Sequence, residues 1–325
     1  MKIVDFNKKA VRKLKAAGIK NAELDVTIMM KSVLENDEAF LLMHPEMPLT
    51  NGQLNKLNKL VKKRSNFEPI AYLVGHKEFF GHDFTVNRNV LIPRPETENL
   101  VEESLKIVKL KIKNLLKIEN CKLKILDMGT GSGCIIISLI LETEKQWSNG
   151  AMKQLRFFAS DVNKKALRVA KRNARRLLNN RTIEQSNNVK FYHSDLFSNR
   201  LLHRKYDIII ANLPYVPFPC HPGLDPGSRQ DKQHNFLDSR LRGNDSISFE
   251  PANAIFANDN GAAIIKNFLT EAKKYLNAHG IILLELDPRN ADQIQNFAKA
   301  NFPAATIESK KDLAGLKRYL LIASQ

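Results

Sequence analysis

The constraint that most limits the fold is a glycine-rich stretch wedged between an apolar run and a second, longer one. Lys124–Met128 reads as a strand and Cys134–Leu141 as the start of a helix. Between them lies Asp127-Met128-Gly129-Thr130-Gly131-Ser132-Gly133, whose glycines allow a tight reversal and let a ligand approach bare backbone. A strand that turns straight into a helix belongs to a crossover unit, and downstream the alternation continues. Leu155–Ser160, Val189–His193, Asp207–Ala211 and Gly280–Glu285 are candidate strands, followed by a terminal pair near Ala305–Ser309 and Arg318–Ala323. The middle strands are nearly continuous apolar runs, as helices on both faces of a parallel sheet require. Asn163–Leu178 carries Leu167, Ala170, Ala174 and Leu177 on one face and Lys and Arg on the other. The fold class is therefore α/β, a doubly wound sheet.

Ahead of it, residues 1–75 read as short amphipathic helices. Leu24, Ile28 and Val33 stand at helical spacing within Ala22–Leu34, and Leu54, Leu57, Leu60 and Val61 repeat the pattern; His44–Pro48 reads as a loop. Phe80–Val86 and Val90–Ile92 flank Asn87-Arg88-Asn89 and predict a hairpin. Pro95, with Glu96 and Glu98 in the first turn, opens a helix with Leu100, Val101, Leu105 and Val108 on its apolar face.

Length and charge narrow the classes. With 325 residues the chain holds about two domains. No apolar run approaches the ~20 residues of a membrane span, and the start, Met1–Lys8, contains an acid and no apolar core of a signal peptide. Cys121, Cys134 and Cys220 are too scattered for a disulfide framework or a metal site, so a cytoplasmic protein without metal or membrane association is expected. The formal charge is +17, and residues 164–205 hold twelve Lys/Arg against two acids. Such an excess suits a nucleic-acid partner, but equally a Lys-rich composition spread over solvated faces.

The glycine spacing departs from the dinucleotide fingerprint, which needs a small residue three places after Gly131, where Cys134 stands. Alternating glycines behind an acid instead resemble the S-adenosyl-L-methionine loop of class I methyltransferases, with Asp127, Gly129, Thr130, Gly131, Ser132 and Gly133 as cofactor-site candidates. Asp161, at the end of the second strand, is placed to accept protons from both ribose hydroxyls, although it could as well cap the following helix. Asp195, after the third strand, is placed for the adenine amino group, or is an ordinary turn aspartate.

Asn212-Leu213-Pro214-Tyr215, at the end of the fourth strand, matches the Asn/Asp-x-Pro-aromatic signature of methyltransferases acting on planar NH2 groups. The lone pair of such a group is delocalised. The Asn212 side-chain oxygen and the Leu213 carbonyl can each accept one N–H and localise charge on nitrogen; Pro214 fixes the turn and Tyr215 offers a ring face.

Longer segments resemble one family. Pro69–Val86, Val90–Glu98 with its Arg94-Pro95-Glu96-Thr97-Glu98, Phe249-Glu250-Pro251 and Lys311–Gly315 look like the peptide chain release factor glutamine methyltransferases over about residues 20–218 and 249–322. The resemblance implies methyl transfer from S-adenosyl-L-methionine to the side-chain nitrogen of the glutamine in the Gly-Gly-Gln loop of bacterial class I release factors, with no nucleic acid required. It implies an N-terminal helical substrate-recognition domain (1–75), a β-hairpin linker (76–96) and a methyltransferase domain (97–325). It implies that Leu196 lines the cofactor site, that Asn212 to Tyr215 hold the glutamine, and that Arg94, Glu96 and Thr97 belong to the substrate cleft. The last three also fit a plain Pro-initiated helix start. Leu213 stands where the family usually has a second proline, and Leu196 where relatives often have an aromatic. Residues 219–247, turn-rich and of zero net charge, read as a mobile, disordered surface insertion. The competing function is N6-adenine methylation of DNA or RNA, which would use the same Asn212–Tyr215 chemistry on a flipped base.

Overall fold

The computed structural model describes residues 1–115, 122–147, 152, 154–178, 189–217, 249–259, 261–312 and 315–325; the expected insertion at 219–247 lies outside them. The described chain divides into two compact units that part after His76.

The first unit is helical: α1 Ile3–Ala16, α2 Ala22–Leu34, α3 Glu38–Met43, α4 Asn51–Arg64 and α5 Ile70–Val74. Ile3, Phe6, Ala10 and Leu14 of α1 pack on Val26, Met29 and Met30 of α2 and on Leu57 and Val61 of α4. This corrects the face read for α2. Leu24 is exposed, and Ile28 and Val33 are only half-buried, because the packed stripe is Ala22-Val26-Met29-Met30. That stripe also buries Asp25, which is possible because Arg64 Nε donates to its carboxylate at 2.7 Å.

A hairpin follows, β1 His76–Phe79 and β2 His82–Thr85, of which the second unit holds all but His76. Its turn is Phe80-Gly81, both at positive φ (54° and 71°), as a two-residue turn that matches the strand twist demands. The predicted hairpin around Asn87–Asn89 is therefore misplaced: those residues make a turn, and Val90–Ile92 continues as irregular chain. Phe79 and Phe84 of the hairpin enter the core of the second unit. A 3-10 turn, Pro95–Thr97, leads into α6, Glu98–Leu115.

Next come β3 Leu123–Met128, α7 Cys134–Gln146, β4 Leu155–Asp161, α8 Lys164–Leu178, β5 Val189–His193, β6 Tyr206–Ala211, and the short pair β7 Val216–Pro217 and β8 Phe256–Ala257. The chain closes with α9 Ala263–Ala272, β9 Leu276–Glu285, α10 Ala291–Asn301, β10 Thr306–Lys311 and β11 Lys317–Ala323. The seven-stranded sheet has the order β10-β11-β9-β6-β3-β4-β5, and β11 pairs antiparallel with both its neighbours. This is the expected doubly wound sheet. Alternate strand residues face opposite cores: Ile125, Ile208 and Ile210 pack against α6 and α7, while Leu126, Ile209 and Ala211 pack against α9 and α10. From β3 the chain winds outward through β4 and β5, then returns to β6 on the other side. The gap between β3 and β6 is thus the switch point where such sheets bind ligands.

Candidate active site

Strand register builds the site. Met128 pairs with Ser160 and with Ala211, and Ala211 pairs with Leu284. One residue beyond, the four carboxyl ends present Gly129, Asp161, Asn212 and Glu285 along one edge of the sheet. A cleft of about 530 Å³ opens there.

Ser160 O accepts from the backbone N–H of Gly129 (2.9 Å) and Thr130 (2.8 Å), which pins the glycine loop to β4. Gly129 has φ 74°, and a Cβ there would come within 2.9 Å of the Leu213 side chain. A Cβ at Gly133 would lie 2.8 Å from Ile137 of α7 and 3.3 Å from Ala170 of α8. Asn173 of the same helix completes the support. Its Nδ2 donates to Ser132 O and to Thr85 O, both at 2.9 Å, and its Oδ1 accepts from Thr85 N at 2.8 Å. One buried amide thus ties the loop to the hairpin.

Gly129, Thr130, Gly131, Ser132, Asp161, Asp195 and Leu196 line the cleft. Asp161 lies at the cleft wall and also holds the turn that leads into α8. It accepts from Gly131 N (2.9 Å) and Asn163 N (2.7 Å), yet remains at the cleft wall with lone pairs to spare. Burial pushes its carboxyl up. The Asp195 carboxylate has no hydrogen-bond partner among the described residues. Leu196 is held at φ 44°, an uncommon conformation for leucine. Asp127 and Gly133 are not in the wall. Asp127 is fully buried beneath the loop, where Oδ2 accepts from Thr130 Oγ1 at 2.6 Å and Oδ1 has no partner among the described residues. Burial pushes its carboxyl up to about 7. Its contact is with the loop, because a strand-interior position faces the core.

Arg94, Thr97, Asn212, Leu213 and Pro214 line the same cleft, continuous with the glycine loop. Arg94 Nη2 donates to Glu250 Oε1 at 2.6 Å, and the other oxygen of Glu250 accepts from Ile92 N at 3.0 Å. Glu96 departs from the expectation. Its side chain is exposed and outside the wall, since the turn that buries Thr97 points its neighbour outward. Tyr215 also departs. Its hydroxyl donates to Glu285 Oε1 at 2.8 Å, so the ring is tied inward and does not line the cleft.

Sequence reading missed Glu285. Its fully buried carboxylate also accepts from Thr97 Oγ1 (2.8 Å) and Asn212 Nδ2 (3.0 Å), and Asn212 Nδ2 donates to Thr97 Oγ1 as well (3.1 Å). Burial pushes Glu285 up and Tyr215 well above its ordinary value. The available signal was an acid ending an otherwise apolar strand. Ile264, Asn267 and Glu271 of the wall were missed too, and lie where no motif marks them.

Chemically, the cleft offers backbone amides and carboxylates at one end. At the other it offers a side-chain oxygen on Asn212 that makes no hydrogen bond among the described residues.

Two family models match this chain: a PrmC N-terminal domain over residues 7–75 and a methyltransferase domain over residues 119–318. The release factor glutamine methyltransferase of Coxiella burnetii (strain RSA 493 / Nine Mile phase I) is 34% identical over 302 residues, covering 93% of this chain and 92% of that protein. The one from Koribacter versatilis (strain Ellin345) is 31% identical over 314 residues, covering 96% and 95%. A bifunctional methyltransferase of Rickettsia felis (strain ATCC VR-1525 / URRWXCal2) is 31% identical over 97% of this chain, which spans 56% of it.

Proposed function

The chain belongs to the release factor glutamine methyltransferase family, and from that premise we propose that it methylates the glutamine side-chain nitrogen of the Gly-Gly-Gln loop in bacterial class I release factors. The cofactor is S-adenosyl-L-methionine, and the cleft suits it. Its acceptors at Asp161 and Asp195 match ribose hydroxyls and an adenine amino group, and its glycines leave backbone open to an amino-acid tail. When bound, it supplies a methyl group on an electrophilic sulfonium.

The protein's part is positioning. Asn212 Oδ1 and the Leu213 carbonyl each accept one N–H of the substrate carboxamide, which holds the nitrogen in place and concentrates electron density on it. Pro214 keeps the turn extended, and Arg94, Thr97 and Pro214 wall the side-chain channel. No strong base is required, because nitrogen becomes acidic only after it is methylated. Leu213 in place of the family's proline preserves the carbonyl, which is the group used. In this reading residues 1–75 are the substrate-recognition domain, supported by the match of that segment to a PrmC N-terminal domain.

The single observation that carries this reading is the meeting of Asn212 and the glycine loop in one cleft, in a chain whose curated relatives are named for the reaction. The adenine alternative has no such support. The test is transfer of tritiated methyl to a release factor, to DNA and to tRNA. Label is expected in the release factor alone, lost on changing the loop glutamine to alanine and lost with Asn212→Ala. Label confined to nucleic acid refutes the proposal.

A further inference from the structure

We propose that Glu285 is the positioning residue of this site, locking the Asn212 amide with its oxygen, and never its NH2, toward the substrate; this rests on the reading in which Asn212 receives the substrate amide.

An asparagine side chain is nearly symmetric in shape, and its two ends have opposite hydrogen-bonding character. At a site that must accept from an NH2 group, an amide free to rotate spends part of its time presenting its own NH2, which repels the substrate. Something must forbid the flip. Glu285 Oε2 accepts from Asn212 Nδ2 at 3.0 Å and from Thr97 Oγ1 at 2.8 Å. Thr97 has a single hydroxyl proton. With it committed to Glu285, the threonine oxygen can only accept, which it does from the second proton of Asn212 Nδ2 at 3.1 Å. Both neighbours at that end of the amide are therefore acceptors. Rotating Asn212 would replace two hydrogen bonds with two oxygen–oxygen repulsions against the buried Glu285 and Thr97.

The carboxylate is itself saturated and fixed. Its other oxygen accepts from Tyr215 at 2.8 Å, within the same turn as Asn212. Burial pushes Glu285 up, and its hydrogen bonds from Tyr215 and Thr97 with the field of Arg318 oppose that push; three donors on one carboxylate match an acceptor-only group. Strand register makes the arrangement rigid, since β9 lies beside β6 with Leu284 opposite Ala211. Tyr215 thereby gains a task in this chain: its hydroxyl braces the group that braces Asn212.

The experiment is a reciprocal swap in the full-length protein, with transfer to a release factor and cofactor affinity both measured. Glu285→Gln places an NH2 group among three donors and lets Asn212 turn. We expect kcat to fall roughly 100-fold, the scale of losing one oriented hydrogen bond in a transition state, with cofactor Kd within about 3-fold. Asn212→Asp alone sets two carboxylates face to face and loses more. In Asn212→Asp with Glu285→Gln, the new amide donates to one Asp oxygen and leaves the other as acceptor. At least about 10-fold of the kcat lost in Asn212→Asp should return, which a merely structural role for Glu285 does not produce.

Thr97→Val reads the same lock from its other side, should the Glu285 variant not fold, with an expected ~10-fold loss in kcat and unchanged cofactor affinity. Glu285→Gln within 3-fold of wild type, or a folded double variant no better than Asn212→Asp, overturns the inference. Full activity of Asn212→Ala overturns the underlying reading of Asn212, and the inference with it. An inactive Asn212→Ala beside a fully active Glu285→Gln overturns the inference alone.

Discussion

Asn173→Ala removes the one amide that joins the hairpin to the glycine loop, and its cost can be worked from the contacts. The side chain is fully buried and makes three hydrogen bonds of 2.8 to 2.9 Å. A typical buried hydrogen bond contributes about 1 kcal/mol net, and an acceptor left unsatisfied costs about 1–3 kcal/mol. Thr85 is half-buried and water can replace part of what it loses; Ser132 is buried and cannot recover as easily. The sum is about 3 kcal/mol, or a fall in Tm of roughly 6–12 °C for a unit of this size. Urea unfolding followed by circular dichroism should show the midpoint falling with unchanged slope. Because the Ser132 carbonyl holds the loop, cofactor Kd should also weaken about 10-fold. Asn173→Asp keeps the acceptor for Thr85 N but aims carboxylate oxygen at two carbonyls, so it should be worse than alanine. A loss below about 0.5 kcal/mol for the alanine variant, or an aspartate variant as stable as wild type, would refute the tie between hairpin and loop.

Two further perturbations test the loop and the Asn212–Tyr215 turn. Asp127, with its carboxyl pushed up to about 7 by burial, binds a proton when folded that the unfolded chain releases near 4. The contribution of Asp127 to stability should be full at or below about pH 4 and be lost as pH rises toward 7, by on the order of 4 kcal/mol in all, with Asp127→Asn removing that component of the pH dependence. Parallel midpoint-versus-pH curves for the two proteins between pH 4 and 8 would count against this. Gly261→Ala should disable the site from behind. Gly261 has φ 86°, and a Cβ there would lie 1.8 Å from the Tyr215 carbonyl oxygen, so the Asn212–Tyr215 turn must move. The expected outcome is a loss of roughly 2–4 kcal/mol in stability and about 100-fold in transfer rate, and an active, stable Gly261→Ala contradicts the close approach.

The +17 charge, which as a number suggested phosphate contacts, is uninformative about the active site. The wall of the cleft carries acids and amides with Arg94, which is paired with Glu250, and the Lys and Arg of α8 lie on the face away from its buried stripe. Among the described residues no helix is long and apolar enough to cross a membrane.

Much of the fold was legible because its signals are local. Continuous apolar runs, a glycine loop closing one strand and an Asn-x-Pro-Tyr turn closing another are properties of neighbouring residues. They suffice to define a doubly wound sheet with Gly129 and Asn212 at its carboxyl edge. The face of α2 was misread because several apolar residues compete for one stripe, and only the partner helices decide between Leu24 and Met29. The hairpin was misplaced because Phe80 adopts positive φ, which local propensity opposes and the cross-strand pairing enforces.

What tertiary structure alone decided is which polar groups meet. Asn173 sits in an apolar helical stripe, and its partners are 88 and 41 residues away. Glu285 is 188 residues from Thr97 and 73 from Asn212, brought to Asn212 by the register of β9 beside β6 and to Thr97 by the turn that precedes α6. Burying an amide or carboxylate is costly unless it finds hydrogen-bond partners, and for Asn173 and Glu285 those partners are set by the packing around the sheet. The sequence by itself placed an Asn-x-Pro-Tyr turn and a glycine loop at two strand ends; the register of two strands decided which buried groups hold the Asn212 amide.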